Sequence, residues 1–449
     1  MQPKLSSSST LTRGLSLTQA TAVNMIDMVG IGPFITLSLI VGIMQGATSI
    51  FAWMLGALLA YMDGFVWAEL GSQYPEAGGS YVFLQKLYDG KWGKLMAFLF
   101  IWQTTLQAPL VVASGSIGFS QYLSFLIPMT PWQQKMVSGA LVVFLVFLLF
   151  RGIRSVGKIS VVFGVITIGT ILWVIIAGFS KANFSQAFDF HSNIDFMNIA
   201  LFASLGQASL KAVYSYLGYY NVCHLGGEIM EPQKNIPRSI FISITAIALL
   251  YLAMQTMVMA VLPWQEVASS SFVISTYFEK LHNHFVGQIA TVCILCIAVA
   301  SLFSVMLGYS RVPYAAALNG DFFKIFAKTH PKYHFPHISL LVLGGLAFIF
   351  SLLFKMKDVI TAIVVMRILI QFVAQAVGVI LSRKKRAAQK NTLFKMPLFP
   401  LPAIISIVIW LFIFFSSDYK FILFAVTIIV TGILLFYLKE KITRKISVL

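Results

Sequence analysis

The stretch Gly30-Ile31-Gly32-Pro33 interrupts an otherwise apolar run from about Ser16 to Met44. Two glycines and a proline within four residues weaken helix propensity and remove a backbone donor, so a membrane span here is expected to split into two half-helices. In lipid an unpaired backbone N–H or C=O costs several kcal/mol, so a broken helix persists only where it lines an enclosed or watery cavity. The second half-helix, opening at Gly32 and Pro33, turns free N–H groups and a partial positive charge towards an anionic group such as a carboxylate. Pro33 suits a first helical position, because its missing N–H would have had no partner there anyway. Alone, these residues also fit a packing kink. A second break is needed to choose.

Composition identifies the solvent. Apolar residues are 58% of the 449, charged residues only 10%, and the mean hydropathy is +0.86, whereas a soluble chain carries roughly 25% charged residues. This is a polytopic, all-α integral membrane protein. At about 20 apolar residues per span, twelve transmembrane helices are expected, at about 16–44, 46–71, 93–127, 132–150, 156–179, 196–227, 238–263, 285–318, 337–354, 358–382, 397–417 and 419–438. With the N-terminus in the cytoplasm, 24 of the 32 basic residues fall inside; Lys135, Lys181, Lys280, Lys355, Lys357 and Lys420 fall outside, and Lys211 and Arg367 lie within spans. That asymmetry predicts a multi-pass plasma (inner) membrane protein with both termini cytoplasmic. The net charge of +17 then needs no nucleic-acid partner, and runs such as Arg383-Lys384-Lys385-Arg386 suit anionic headgroups of the bilayer. Cys223, Cys293 and Cys296 all fall in spans, which argues against a disulfide framework or metal cage.

The second break is Tyr214-Ser215-Tyr216-Leu217-Gly218-Tyr219-Tyr220-Asn221 in span six, a polar and aromatic interruption followed by Gly226-Gly227-Glu228. Paired interruptions in corresponding spans of two halves point to an inverted-repeat transporter with a midplane site. The expected organisation is a cytoplasmic tail over 1–15, a first repeat over 16–182, a second over 183–386, and two appended spans with a cytoplasmic C-terminus over 387–449. Discontinuous helices one and six would face each other in this five-plus-five arrangement.

Four stretches resemble the amino acid/polyamine/organocation superfamily of secondary transporters. Gly30-Ile31-Gly32-Pro33-Phe34 is similar to its G-S-G-I-F break, departing at Ile31 and Pro33. Ala68-Glu69-Leu70-Gly71 and Pro75-Glu76-Ala77-Gly78-Gly79-Ser80-Tyr81 resemble its A-E-L and P-x-x-G-G-x-Y signatures. Gly227-Glu228, Glu231-Pro232 and Asn235-Ile236-Pro237-Arg238 resemble its run between spans six and seven, and Ser310-Arg311 through Asn319-Gly320-Asp321, with His330-Pro331 and Pro336 beyond, its span-eight exit. The resemblance implies alternating access by rocking of a bundle against a scaffold. It also implies that an amino-acid carboxylate meets the backbone at Gly30, Ile31 and Gly32, and that the ammonium meets carbonyls around Tyr214, Ser215 and Leu217, beside Gly218. Tyr214 takes the place of the aromatic gate. A zwitterion in a dry cavity needs donors at one end and acceptors at the other, and broken helices supply both without buried side-chain charge. Residues facing the substrate side chain are expected to include Gln107, Tyr219, Tyr220 and Ser304.

Ionisable groups inside the membrane are functional candidates, since burying one costs ~3 kcal/mol. Asp27, one turn before the break, could hold a cationic side chain or polyamine, titrate to couple transport to protons, or pair with Lys211 or Arg367. Arg367, mid-span, is the better candidate for gating or counter-charge. Many proton-coupled relatives carry a lysine in span five where Thr167 stands here. A hydroxyl there, with Ser301, Ser304 and span-one carbonyls, suits a sodium ion; exchange without an ion, or proton coupling through Asp27, stays open. No cofactor is expected. Scattered histidines and the lack of a clustered nucleophile and base exclude an enzyme, and the lack of a filter-like repeat disfavours a channel. The alternatives to an amino-acid carrier are a polyamine or organic-cation carrier and a sensor that binds without translocating. The residues do not fix oligomeric state.

Overall fold

The computed structural model describes residues 13–76, 78–150, 156–190, 199–331, 335–387 and 394–448. The first half runs α1 (Leu17–Met28), α2 (Gly32–Met44), α3 (Ser49–Gln73), α4 (Ser80–Leu87), α5 (Gly90–Leu126), α6 (Pro131–Phe150) and α7 (Val156–Gly178). It continues through α8 (Phe184–Ala187), α9 (Ile199–Tyr216), α10 (Asn221–His224), α11 (Pro232–Val261), α12 (Trp264–Ser269) and α13 (Val273–Leu281). The last helices are α14 (His284–Tyr309), α15 (Arg311–Leu318), α16 (His337–Leu353), α17 (Met356–Arg367), α18 (Ala374–Ala387), α19 (Leu401–Phe415) and α20 (Tyr419–Val448).

The first span is broken where the glycines stand. A capping box opens α1: Gln19 Oε1 accepts from the Ser16 amide at 3.0 Å, and Ser16 Oγ accepts from the Gln19 amide at 3.4 Å. Helix α1 stops at Met28, and α2 starts at Gly32 with Pro33 in its first turn. The two axes bend by 46°. In the second break α9 ends at Tyr216, the chain unwinds through Gly218 at φ +123°, and one turn of α10 follows. A third irregularity joins α17 to α18, where Ile368–Val373 form a π-helical stretch directly after Arg367. Such stretches widen the helix by one residue per turn and recur at functional sites.

Among the described residues seven helical spans are long and apolar enough to cross a membrane, and eight if the bent α1 and α2 count as one. Shorter apolar helices cover Gly164–Gly178, His337–Leu353 and Leu401–Phe415. The most apolar segment of α20 is only 22% buried, with Leu423, Phe424 and Leu434 turned outward. Apolar side chains displayed so freely require a hydrocarbon solvent. The chain is a multi-pass membrane protein.

Packing encloses both breaks. Helix α3 lies against α9 and α11, α1 against α11 and α7, α2 against α9, and α5 against α14, α16 and α17. Trp53, Trp67, Tyr216 and Tyr251 are buried between them, with the Trp53 ring 5.2 Å from Tyr251 and 6.1 Å from Tyr216, edge to face. The segment ahead of α1 is also fixed: Gly14 and Leu15 amides donate to Glu228 O at 2.9 Å each, and Met230 donates to Leu15 O at 2.9 Å. The entrance to the first broken span is thus stitched to the exit of the second.

Candidate functional site

The two breaks meet. A Cβ built on Gly218 would lie 2.8 Å from the Met28 amide nitrogen and 2.9 Å from the Asp27 carbonyl carbon. Only glycine permits this approach, and its φ is one that side-chain-bearing residues rarely adopt. Side chains from distant helices then satisfy the backbone that unwinding exposes. The Tyr251 hydroxyl on α11 points at Met28 O at 2.9 Å and Ser215 O at 3.1 Å, binding both breaks with one group. Asn24 Oδ1 accepts from the Val222 amide at 2.9 Å, capping the far side of the second break.

Between the breaks lies a cavity of ≈ 90 Å³. Its floor is Gly30, Ile31 and Gly32, and its opposite wall is Tyr214, Ser215, Leu217 and Gly218. The wall from α14 is Ala298 and Ser301, and from α5 Val111 and Gly115. No side chain caps the start of α2 at Ile31, so the first amides of the helix, beside the cavity lining at Gly30 to Gly32, lack a side-chain partner. The Ser215 hydroxyl is 2.8 Å from that of Thr36, and the Tyr214 hydroxyl 2.8 Å from that of Ser114, which orients the tyrosine ring over Gly32.

Two charged side chains share the cavity, Asp27 and Arg367. The guanidinium of Arg367 is buried and donates from Nη1 to the Tyr220 hydroxyl at 2.6 Å and from Nη2 to the Tyr309 hydroxyl at 2.7 Å. It therefore ties α17 to the second break and to the end of α14. Its Nε has no partner. Lys211, by contrast, lies away from Asp27: its ammonium donates to Lys357 O at 2.8 Å and to the Thr361 hydroxyl at 2.5 Å.

Of the residues singled out from sequence, Asp27, Gly30, Ile31, Gly32, Tyr214, Ser215, Leu217, Gly218, Tyr220, Ser301 and Arg367 line this one cavity. Gln107, Tyr219, Ser304 and Thr167 do not. Gln107 is buried one turn away, with neither amide atom bonded. Tyr219 points away from the cavity, and its hydroxyl donates to Asp63 Oδ2 at 2.5 Å. Thr167 is buried on α7. Glu69 is held by the Met396 amide at 2.8 Å and by Arg383 at 3.6 Å. Sequence reasoning missed Asn24, Tyr251 and Tyr309. Asn24 carried one signal, a buried polar residue one turn ahead of Asp27.

Comparison with known proteins gives the family. The Amino acid permease family model matches residues 15–438. The chain belongs to the amino acid permease family. This permease is 24% identical over 362 residues to the serine/threonine exchanger SteT of Bacillus subtilis, covering 80% of each chain. It is 24% identical over 451 residues to the Asc-type amino acid transporter 1 of Mus musculus, covering 95% of this chain and 81% of that one. It is 25% identical over 464 residues to the methylthioribose transporter of Bacillus subtilis, covering 97% and 95%. Against the cationic amino acid transporter 4 of Mus musculus it covers 56% of the longer relative. The permease is accordingly a membrane transporter of amino acids.

Proposed function

We propose that this permease carries small neutral amino acids across the plasma membrane by alternating access, on a core of two inverted five-span repeats within twelve spans. The carboxylate is bound by the amides opening α2 at Gly30 to Gly32, where the helix dipole favours negative charge. The ammonium is bound by carbonyls at the end of α9, around Tyr214, Ser215 and Leu217. Tyr214 closes over the site.

The observation that carries the substrate class is Asp27 and Arg367 on one cavity. A lone buried carboxylate would favour a cationic side chain or a polyamine; a guanidinium on the same wall repels the cation and offsets the carboxylate. Size supports the same reading. The cavity is small, ≈ 90 Å³, and Gly115, Ala298 and Ser301 leave a short side chain with a small, partly polar wall. The serine/threonine exchanger relative supports the assignment.

The test is counterflow in proteoliposomes preloaded with alanine, serine or threonine, competed by lysine, putrescine and methylthioribose. Exchange of the small neutral amino acids and weak competition by the others is expected. Preferred exchange of lysine or putrescine would refute the neutral reading, and binding without exchange would favour a sensor.

A further inference from the structure

Asp63 is a second buried carboxylate that the substrate site does not use. It sits midway along α3, is 0% exposed, and lies off the cavity. Its Oδ2 accepts from the Tyr219 hydroxyl at 2.5 Å and from the Trp67 indole N–H at 2.8 Å, while its Oδ1 has no partner. The indole N–H of Trp410 on α19 faces the same carboxylate without closing to hydrogen-bond geometry, so Oδ1 is approached by a donor but holds no bond. Among the described residues, the buried faces of α2, α11 and α19 bring no lysine or arginine to this pocket. On α9 the buried Lys211 is committed to Lys357 and Thr361, and on α18 Arg383 reaches Glu69. The remaining titratable groups nearby are Tyr219 and Tyr220 of the second break, His224 of α10, whose ring lies 6.2 Å from Trp67 and 6.1 Å from Tyr220, and Arg367 of α17 with its partner Tyr309.

With the imidazole of His224 uncharged, the set holds two carboxylates against one guanidinium. Arginine does not give up its proton, and a buried ionised carboxylate persists only with a counter-charge or a full set of donors. Asp27 shares its cavity with Arg367, which leaves Asp63 as the surplus. One proton makes the set neutral; without it the set carries one uncompensated negative charge. The open Oδ1 is the atom available for that proton. Tyr219 is flanked by Gly218 and Tyr220, both on the cavity wall, so a change in what Asp63 accepts or donates is passed directly to the second break.

We propose that Asp63 is a proton-binding site of this permease, loaded and unloaded once per cycle, which couples amino-acid movement to a proton gradient through Tyr219. Loading makes one O–H bond at Oδ1 from a proton of the aqueous phase, and unloading returns that proton to water on the other side. The proposal rests on the transport reading above, and the test separates the two.

In proteoliposomes, one coupled proton gives wild-type permease about tenfold more accumulation per unit of inside-alkaline pH gradient. Asp63→Asn keeps an acceptor for Tyr219 and Trp67, and is expected to exchange amino acid by counterflow yet ignore the pH gradient. Tyr219→Phe, which changes no charge, removes one donor to the ionised carboxylate and is expected to move the pH profile of uptake to higher pH. Asp63→Asn with undiminished response to the gradient overturns the proposal, as does an unmoved profile in Tyr219→Phe. So does a wild type driven by a sodium gradient alone. A wild type that exchanges amino acid but ignores pH overturns the proton site and leaves the transport reading intact.

Discussion

Gly218→Ala tests whether the contact between the two breaks holds the site together. The new methyl would sit 2.8 Å from the Met28 nitrogen and 2.9 Å from both the carbonyl carbon and Cβ of Asp27. Backbone lies in its way, and backbone held by Tyr251 does not step aside cheaply. A side-chain-bearing residue at φ +123° costs about 1–3 kcal/mol, and overpacking a filled contact adds about 1–3 kcal/mol. The sum, about 2–6 kcal/mol, is large against the roughly 5–15 kcal/mol by which folded proteins persist. Part of it will appear as displacement of Met28 and Asp27, which lowers substrate affinity by about tenfold for every 1.4 kcal/mol. Gly345→Ala is the control: it sits inside α16, and a Cβ there meets nothing within 4 Å. Removing that glycine is expected to leave stability unchanged or raise it by up to about 1 kcal/mol. The assay is thermal unfolding of purified protein with and without alanine, followed by counterflow. A Gly218→Ala protein that melts and transports like Gly345→Ala would refute the meeting of the breaks.

Tyr251→Phe should leave Met28 O and Ser215 O without their shared donor and cost about 1–3 kcal/mol, read as a lower melting temperature with an enlarged Michaelis constant for uptake. Arg367→Gln should strand the Tyr220 and Tyr309 hydroxyls and leave Asp27 unopposed. Alanine transport is then expected to fall at least about tenfold, the loss typical when a buried charged donor costing more than about 1.4 kcal/mol is removed, while competition by lysine strengthens; unchanged lysine competition would contradict the charge-offset argument. Asn24→Ala should free the Val222 amide and destabilise by about 1–2 kcal/mol, as for a lost helix cap, with hydrogen exchange rising at residues 221–224.

The breaks were legible because their chemistry is local. Gly30, Gly32, Pro33 and Gly218 interrupt apolar runs on their own, and the cavity forms where they stand. What completes the site was not legible, since it arrives from far along the chain. Tyr251 reads as one more apolar position of α11, yet its hydroxyl reaches Met28, 223 residues away. Gln107 and Ser304 illustrate the limit of helical register: the wall is built one turn from Gln107, by Val111, and beside Ser304, by Ser301 and Val305. A polar residue in a span announces a function without saying which face it occupies. Asp63 shows the same, for nothing adjacent to it in sequence except Trp67 reveals the tyrosine that meets it.

The stitch between Leu15 and the Glu228 to Met230 loop has a practical consequence. Whatever rotation carries the exit of the second break must carry the chain just ahead of α1 with it. A fluorescent dye attached near Arg13, paired with an acceptor on α16, would thus report displacement of the second break from a position outside the cavity lining.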